Sequence, residues 1–276
     1  MSAPNLSSRI AARSHPAFEV LGGDAEVGVL FLCDHAQASI PPEYGDLGLC
    51  SSELSRHIAY DIGAEAVTRQ LAQALDAPAV MSRFSRLMID PNRGLDDPTL
   101  VMRIADGALV PGNARIDQVE IEARIARFYQ PYDQAIDATL EAMHRIRSNP
   151  VVIAMHSFTP QMKGIVRPWD ITVIWDFDPR LNLALLDALR REPDLVVGEN
   201  EPYQGGYAGD TIDRHGLRRG LAHALVEIRQ DLIAEPKSAE AWGLRLAALL
   251  RPLLATPIFH EARHYGAHPV PRITAP

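Results

Sequence analysis

The chain has 276 residues, is 47% hydrophobic and carries a formal net charge of −8. That is enough apolar material for one sizeable core, and the acidity argues against a nucleic-acid partner, which wants a basic face, while leaving room for a small anion gripped by local arginines. No apolar run reaches membrane-spanning length, Cys33 and Cys50 form no C-x-x-C pattern, and the polar start lacks the apolar stretch of a signal peptide, so a cytoplasmic protein in a reducing compartment is expected.

Residues 27–34 (VGVLFLCD) form a continuous apolar run that reads as a buried strand, and it ends abruptly in Asp34-His35. A loop follows. Residues 51–75 then show helical spacing of Leu54, Ile58, Ile62, Ala66 and Val67 behind a capping serine. Residues 77–83 predict a second strand. Residues 84–113 carry several turn signals and read as a long functional loop. Residues 114–148 are strongly helical, with Pro131 expected to break or kink the helix.

Residues 150–157 (PVVIAMHS) predict a buried strand ending in His156-Ser157. Residues 170–178 predict a strand, 179–192 a helix opened by proline, and 194–200 a further strand. A glycine-rich excursion covers 201–220. Residues 221–233 predict a strand carrying Glu227 and Arg229, and 238–255 a helix. Strands alternating with helices imply an α/β fold with a mostly parallel sheet covered on both faces. Ligands of such sheets bind beyond the carboxyl ends of the strands. No repeat or linker divides the chain, so one domain over 1–276 is expected, with peripheral tails at 1–20 and 256–276.

Three strands carry ionisable groups at or near their ends: Asp34 with His35, His156, and Glu227. Two imidazoles and one carboxylate with an open fourth position form the donor set of a catalytic zinc. Two satisfied histidines in a buried network would use the same residues. Asn92-Arg93 follows a turn-forming Asp-Pro, and its planar guanidinium suits a bidentate grip on a carboxylate; pairing of Arg93 with Asp96 or Asp97 would serve the loop alone. Glu227 lies in an apolar run, where burial would raise its pKa toward that of a useful base. An ion pair with Arg229, on the same strand face, is the structural alternative. His260 to His264 fits the H-E-x-x-H pattern of zinc peptidases, but it follows Pro257 and lacks a long apolar helix around it. Cys33 reads as a small core hydrophobe. Ser157 lacks a nucleophile context, and residues 205–210 (GGYAGD) read as a flexible active-site loop.

Taken together, CDHAQASIPPEYGDLGL, SRLMIDPNR, HSFTP and DTIDRHGLRRGLAHALVEIRQDLI resemble the N-formylglutamate amidohydrolase family over about residues 27–233. The resemblance implies a three-layer α/β/α sandwich with a central mixed, mostly parallel sheet, related to zinc carboxypeptidases and aspartoacylases. It implies a zinc-dependent enzyme of histidine degradation that hydrolyses N-formyl-L-glutamate to formate and glutamate. It also implies His35 and His156 as metal ligands, Asn92 and Arg93 as the grip on a substrate carboxylate, and Glu227 as the base that activates water. His215 would contact substrate or stabilise the oxyanion, and Ser157 and Arg229 are expected as further substrate contacts.

Carboxypeptidase-type sites use His-x-x-Glu, and here Ala38 stands three residues after His35. Asp61 is the expected third ligand, with Glu43 second. The stretch Asp34 to Gln37 also departs from the Pro-His-Ser-Gly style of the histidine-utilisation branch. That keeps an amidase for another N-acyl amino acid in view, along with a metal-free small-anion binding protein of the same fold, which Ala38 would favour. The expected ligands are Zn2+ or another divalent metal and a small anionic N-acyl amino acid, without nucleic acid or membrane.

Overall fold

Seven strands form the central sheet: β1 (Phe18–Leu21), β2 (Val29–Cys33), β3 (Ala79–Ser82), β4 (Val151–Phe158), β5 (Ile171–Ile174), β6 (Val197–Glu199) and β7 (His223–Arg229). The computed structural model of the chain describes residues 15–147, 149–266 and 268. The strand order is β1-β3-β2-β4-β7-β5-β6. β2 runs parallel to both β3 and β4, β4 to β7, and β5 to β6. Only the β1–β3 and β7–β5 pairs are antiparallel. The sheet is therefore mixed and mostly parallel, as expected from the alternating elements.

Four long helices cover it: α1 (Ala64–Leu75), α2 (Gln130–Ile146), α3 (Pro179–Arg190) and α4 (Pro236–Leu254). The inner strands are buried on both faces, and their successive residues alternate between two cores. Phe31, Ile153 and Val226 face one way, onto Leu71 of α1, Leu185 of α3 and Leu250 of α4. Leu32, Ala154 and Leu225 face the other way, onto Tyr132 and Ile136 of α2 and onto Phe84 and Ile89 of the long loop. Each such aliphatic side chain contributes about 1.5–3 kcal/mol on burial. The three layers are thus helices, sheet, then helix plus loop.

The structure differs from the sequence reading in the helix over 51–75 and around Pro131, and it gives two other stretches a more definite form. The helix expected over 51–75 is broken: Ser51–Leu54 makes one turn, and α1 starts only at Ala64. Gly63 caps it with φ of 81°, and an added Cβ there would run into the carbonyl oxygen of Ile233. Only glycine fits that turn, and Asp61 sits on it rather than on a helix. Around Pro131, no sharp break occurs. Gln118–Arg124 passes through a π-helical turn at Ile125–Tyr129, and Pro131 falls in the first turn of α2, where its missing N–H is tolerated.

The loop over 84–113 is largely irregular, but it is pinned. Ser85 Oγ donates to the Ala59 carbonyl at 2.8 Å, and Asn113 Nδ2 donates to the carbonyls of Leu87 and Met102 at 2.8 and 2.9 Å. A small hairpin within it pairs Ile104–Ala105 with Ala108–Leu109. Finally, the H-E-x-x-H pattern has no helix to carry it. Pro257–His260 is a single tight turn, residues 261–266 are irregular, and His260 Nε2 lies 2.8 Å from the Leu254 carbonyl. Among the described residues no helix is long and apolar enough to cross a membrane.

Candidate active site

Three neighbouring strands, β2, β4 and β7, aim their carboxyl ends at one place. His35 lies two residues past the end of β2. His156 on β4 and Glu227 on β7 are register partners on adjacent parallel strands, on the sheet face shared with Ala154 and Leu225. Asp61 joins from the Gly63 turn, whose position is set by a bond from the Asp61 amide to the His35 carbonyl at 2.9 Å.

The two imidazoles are held alike. Nδ1 of His35 and Nδ1 of His156 lie 3.3 and 2.7 Å from the same oxygen, Oδ2 of Asp61. Their Nε2 atoms meet other carboxylates: His35 with Asp90 Oδ1 at 2.7 Å, and His156 with Asp34 Oδ2 at 3.0 Å. An ionised carboxylate only accepts, so the rings donate to the acids around them, and with each Nε2 tied to Asp90 or Asp34 the Nδ1 atoms are the pair turned toward Asp61. A divalent cation among the three would replace the Nδ1 protons, each ring then offering its Nδ1 lone pair beside the Asp61 carboxylate. One ligand atom from each of the three residues lies within 4.8 Å of the others. This donor set fits a divalent metal, and Asp34 and Asp90 stand where carboxylates orient metal-binding histidines.

Those two carboxylates are themselves fixed. Asp34 Oδ1 accepts from Tyr132 Oη at 2.8 Å and Thr211 Oγ1 at 2.9 Å. Asp90 accepts from Arg86 Nη2 at 2.7 Å and from the Asn92 amide at 2.9 Å. Burial opposes charge on all these groups, but mutual attraction outweighs it. Hydrogen bonds to Asp34 and Asp61 hold the His156 pKa well above the usual imidazole range. The charges of Arg86 and His35 hold Asp90 well below the carboxylate range against its burial.

A cavity of about 210 Å³ opens on this cluster, lined by His35, Asp61, His156 and Glu227 with Arg86, Asn92, Arg93, Ser157, Tyr203 and Tyr207. Glu227 Oε2 is buried without a partner, and burial pushes its pKa up to about 7. Arg93 stacks over the Tyr207 ring at 5.1 Å and donates to the Asn92 carbonyl at 3.0 Å; its nearest carboxylate, Asp97, is 3.9 Å away. Asn92 Oδ1 accepts from the Thr211 amide at 3.0 Å, which leaves its NH2 for a ligand. Ser157 Oγ donates to the Ile62 carbonyl at 2.8 Å, so its hydroxyl is engaged in structure.

Two expected site residues are placed elsewhere. His215 ends the short helix Thr211–His215, whose N-cap Asp210 lines the cavity while His215 does not. His215 Nε2 lies 2.6 Å from Asp133 Oδ1 on α2 instead. Arg229 lies at the end of β7 and pairs with Asp231 at 2.8 Å and Asp170 at 3.1 Å. It neither lines the cavity nor neutralises Glu227. Glu43, the second choice for a ligand, forms a surface pair with Arg127 outside the donor cluster.

Sequence reading did not single out Asp90, Arg86 or Tyr203. Asp90 carries the same signal as Asp34, an acid closing an apolar run. Arg86 and Tyr203 carry no spacing signal, since only the loops' folding brings them inward.

The sequence profile of the N-formylglutamate amidohydrolase family matches residues 27–234. A crystallised gene product of Agrobacterium tumefaciens is similar at 36% identity and a TM-score of 0.78, over 86% of this chain and 92% of its own. The N-formylglutamate amidohydrolase of Ralstonia eutropha shares the fold at 19% identity and a TM-score of 0.64, over 85% of this chain and 98% of its own. No protein of curated function matches the chain.

Proposed function

The chain belongs to the N-formylglutamate amidohydrolase family and is a hydrolase acting on an amide, and we propose that it depends on a divalent metal and deacylates a small anionic N-acyl amino acid, N-formyl-L-glutamate first among them. The observation that carries this reading is the convergence of both Nδ1 atoms on Asp61 Oδ2, with both Nε2 atoms tied to Asp34 and Asp90. A divalent ion held by His35, His156 and Asp61 supplies Lewis-acid polarisation and a more acidic water.

The remaining work falls to side chains. Glu227 takes a proton from the attacking water and passes it to the leaving amine. Burial raises its pKa, which suits one carboxyl to both accept and donate a proton. Arg93, whose pair with Asp97 is long at 3.9 Å, and the Asn92 NH2 grip a substrate carboxylate. Ser157 shapes the wall beside His156. The small cavity favours a compact acyl group. A metal-free anion binder would have no use for a buried, unpaired base, and this supports an enzyme over that alternative. We read the sheet and its two covering layers as one amidohydrolase domain.

The test is metal content by mass spectrometry on protein prepared without chelator, together with hydrolysis of N-formyl-, N-acetyl- and N-succinyl-L-glutamate. A bound divalent metal and preference for the formyl amide are expected. Full activity in metal-free protein would remove the metal from the reading. Preference for a bulkier acyl group would move the substrate, and no hydrolysis of any of the three would overturn it.

A further inference from the structure

Tyr203 stands on the glycine-rich segment after β6 and lines the cavity with Glu227 and His156. Behind it lies Arg167, whose guanidinium stacks 5.3 Å from the ring centroid and directs Nη1 at the phenol oxygen, 3.4 Å away. Arg167 is buried, and among the described residues no carboxylate pairs with it; Nη1 also reaches Thr159, at Oγ1 (2.9 Å) and the carbonyl (3.4 Å), and Nη2 donates to Met162 Sδ at 3.1 Å. A guanidinium only donates. The phenol oxygen is therefore the acceptor in that contact, and the Tyr203 proton is left to donate. Among the described residues no protein acceptor takes it, so it is available to whatever occupies the cavity.

On the amide-hydrolase reading above, we propose that Tyr203 donates a hydrogen bond to the scissile carbonyl oxygen and that Arg167 is the positioning residue that holds and polarises it. As water adds to the carbonyl carbon, the C=O π pair moves onto oxygen, and the bond from Tyr203 strengthens with that charge. The proton stays on Tyr203, and on collapse the pair returns as the C–N bond breaks toward the leaving amine. Burial, with the charge of Glu227, pushes the phenol up to about 12, so it remains a donor at neutral pH.

A grip on a substrate carboxylate explains the arrangement less well. A carboxylate carries its charge throughout and is better met by a guanidinium directly, whereas Arg167 acts from behind a neutral phenol. A polarised neutral donor suits an oxygen whose charge is transient. His215, expected in this role from sequence, lies against α2 and leaves the role open.

The experiment compares wild type, Tyr203→Phe, Arg167→Lys and Arg167→Met on N-formyl-, N-acetyl- and N-succinyl-L-glutamate, with metal content and melting temperature measured on each. For Tyr203→Phe the expected result is a kcat lower by about 10²–10³ with KM within about threefold and metal and melting unchanged. Arg167→Lys should retain more kcat than Arg167→Met. An unchanged kcat in Tyr203→Phe, or a rise in KM alone, overturns the donor role. Arg167→Met matching wild type overturns the positioning role. A wild type that hydrolyses none of the three substrates overturns the functional reading and this proposal with it, while an active wild type beside an equally active Tyr203→Phe overturns the proposal alone.

Discussion

Asp34 and Asp90 each place one oxygen on an imidazole Nε2 and use the other to anchor themselves, Asp34 to Tyr132 and Thr211, Asp90 to Arg86. If they orient His35 and His156 toward a metal, Asp34→Asn and Asp90→Asn should each weaken metal affinity by about 10–100-fold. Competition against a coloured chelator measures this, and an unaltered dissociation constant in both variants would remove the orienting role. Glu227 gives a second expectation. If Glu227 is the base its carboxylate is the active form, so kcat/KM should fall about tenfold per pH unit below its pKa, which a bound cation would set lower than the value of about 7 in the metal-free site. Glu227→Gln should abolish that acid limb and lower kcat by about 10²–10⁴ while keeping the metal; a preserved rate would exclude the base role.

The same shift has a stability side. The folded pKa of Glu227 is raised from 4.5 to about 7, so the ionised form is the disfavoured one. The protonated group's contribution is fully present below pH 4.5 and is lost as pH rises through about 7. In chelator-treated protein, Glu227→Gln should therefore be more stable than wild type at pH 8, by on the order of 3 kcal/mol, with no gain at pH 4. Thermal melts at the two pH values decide it, and equal melting at pH 8 would count against the raised pKa.

Among the elements, the turn before α1 matters most, because it converts a stretch with helical spacing into the carrier of Asp61. The apolar positions after Gly63 do form a helix, but the backbone is diverted at Gly63, where φ is 81° and Ile233 leaves no room for a Cβ. Gly63→Ala should destabilise the fold by roughly 1–3 kcal/mol and, by shifting Asp61, weaken metal binding as well. Wild-type melting together with wild-type metal affinity would show the turn to be tolerant. Pro131 makes a related point. The sharp break expected from it does not occur, since a π-helical turn with Phe128 and Tyr129 buried precedes it and the proline falls in the first turn of α2.

At the scale of the molecule, a metal held by β2, β4 and the Gly63 turn would tie together segments distant in sequence, and it binds only the folded chain. Saturation at about a thousand times the dissociation constant adds about 4 kcal/mol, or on the order of 10 °C in melting temperature for a chain of this size. Chelator should lower the melting temperature by that order and zinc should restore it; a chelator-insensitive melt would argue against a metal at this cluster.

The sequence by itself determined the alternation of strands and helices, the two apolar faces of the sheet, and the presence of His35, His156 and Glu227 at or near strand ends. Those features follow from local periodicity, which encodes what each segment must bury. It also carried the family resemblance, through four motifs that the matching profile spans. Only the tertiary structure decided the company these residues keep. The contacts of His35 with Asp61 and Asp90 span 26 and 55 residues, and that of His156 with Asp34 spans 122. Such distances are closed by sheet register and by loops pinned from outside, as with Ser85 on Ala59, and neither leaves a periodic trace. His215 and Arg229 sit in the right motifs yet point elsewhere: Arg229 shares the strand face of Glu227 but lies at the strand end, where Asp170 and Asp231 draw it off, and His215 is held by Asp133 on α2.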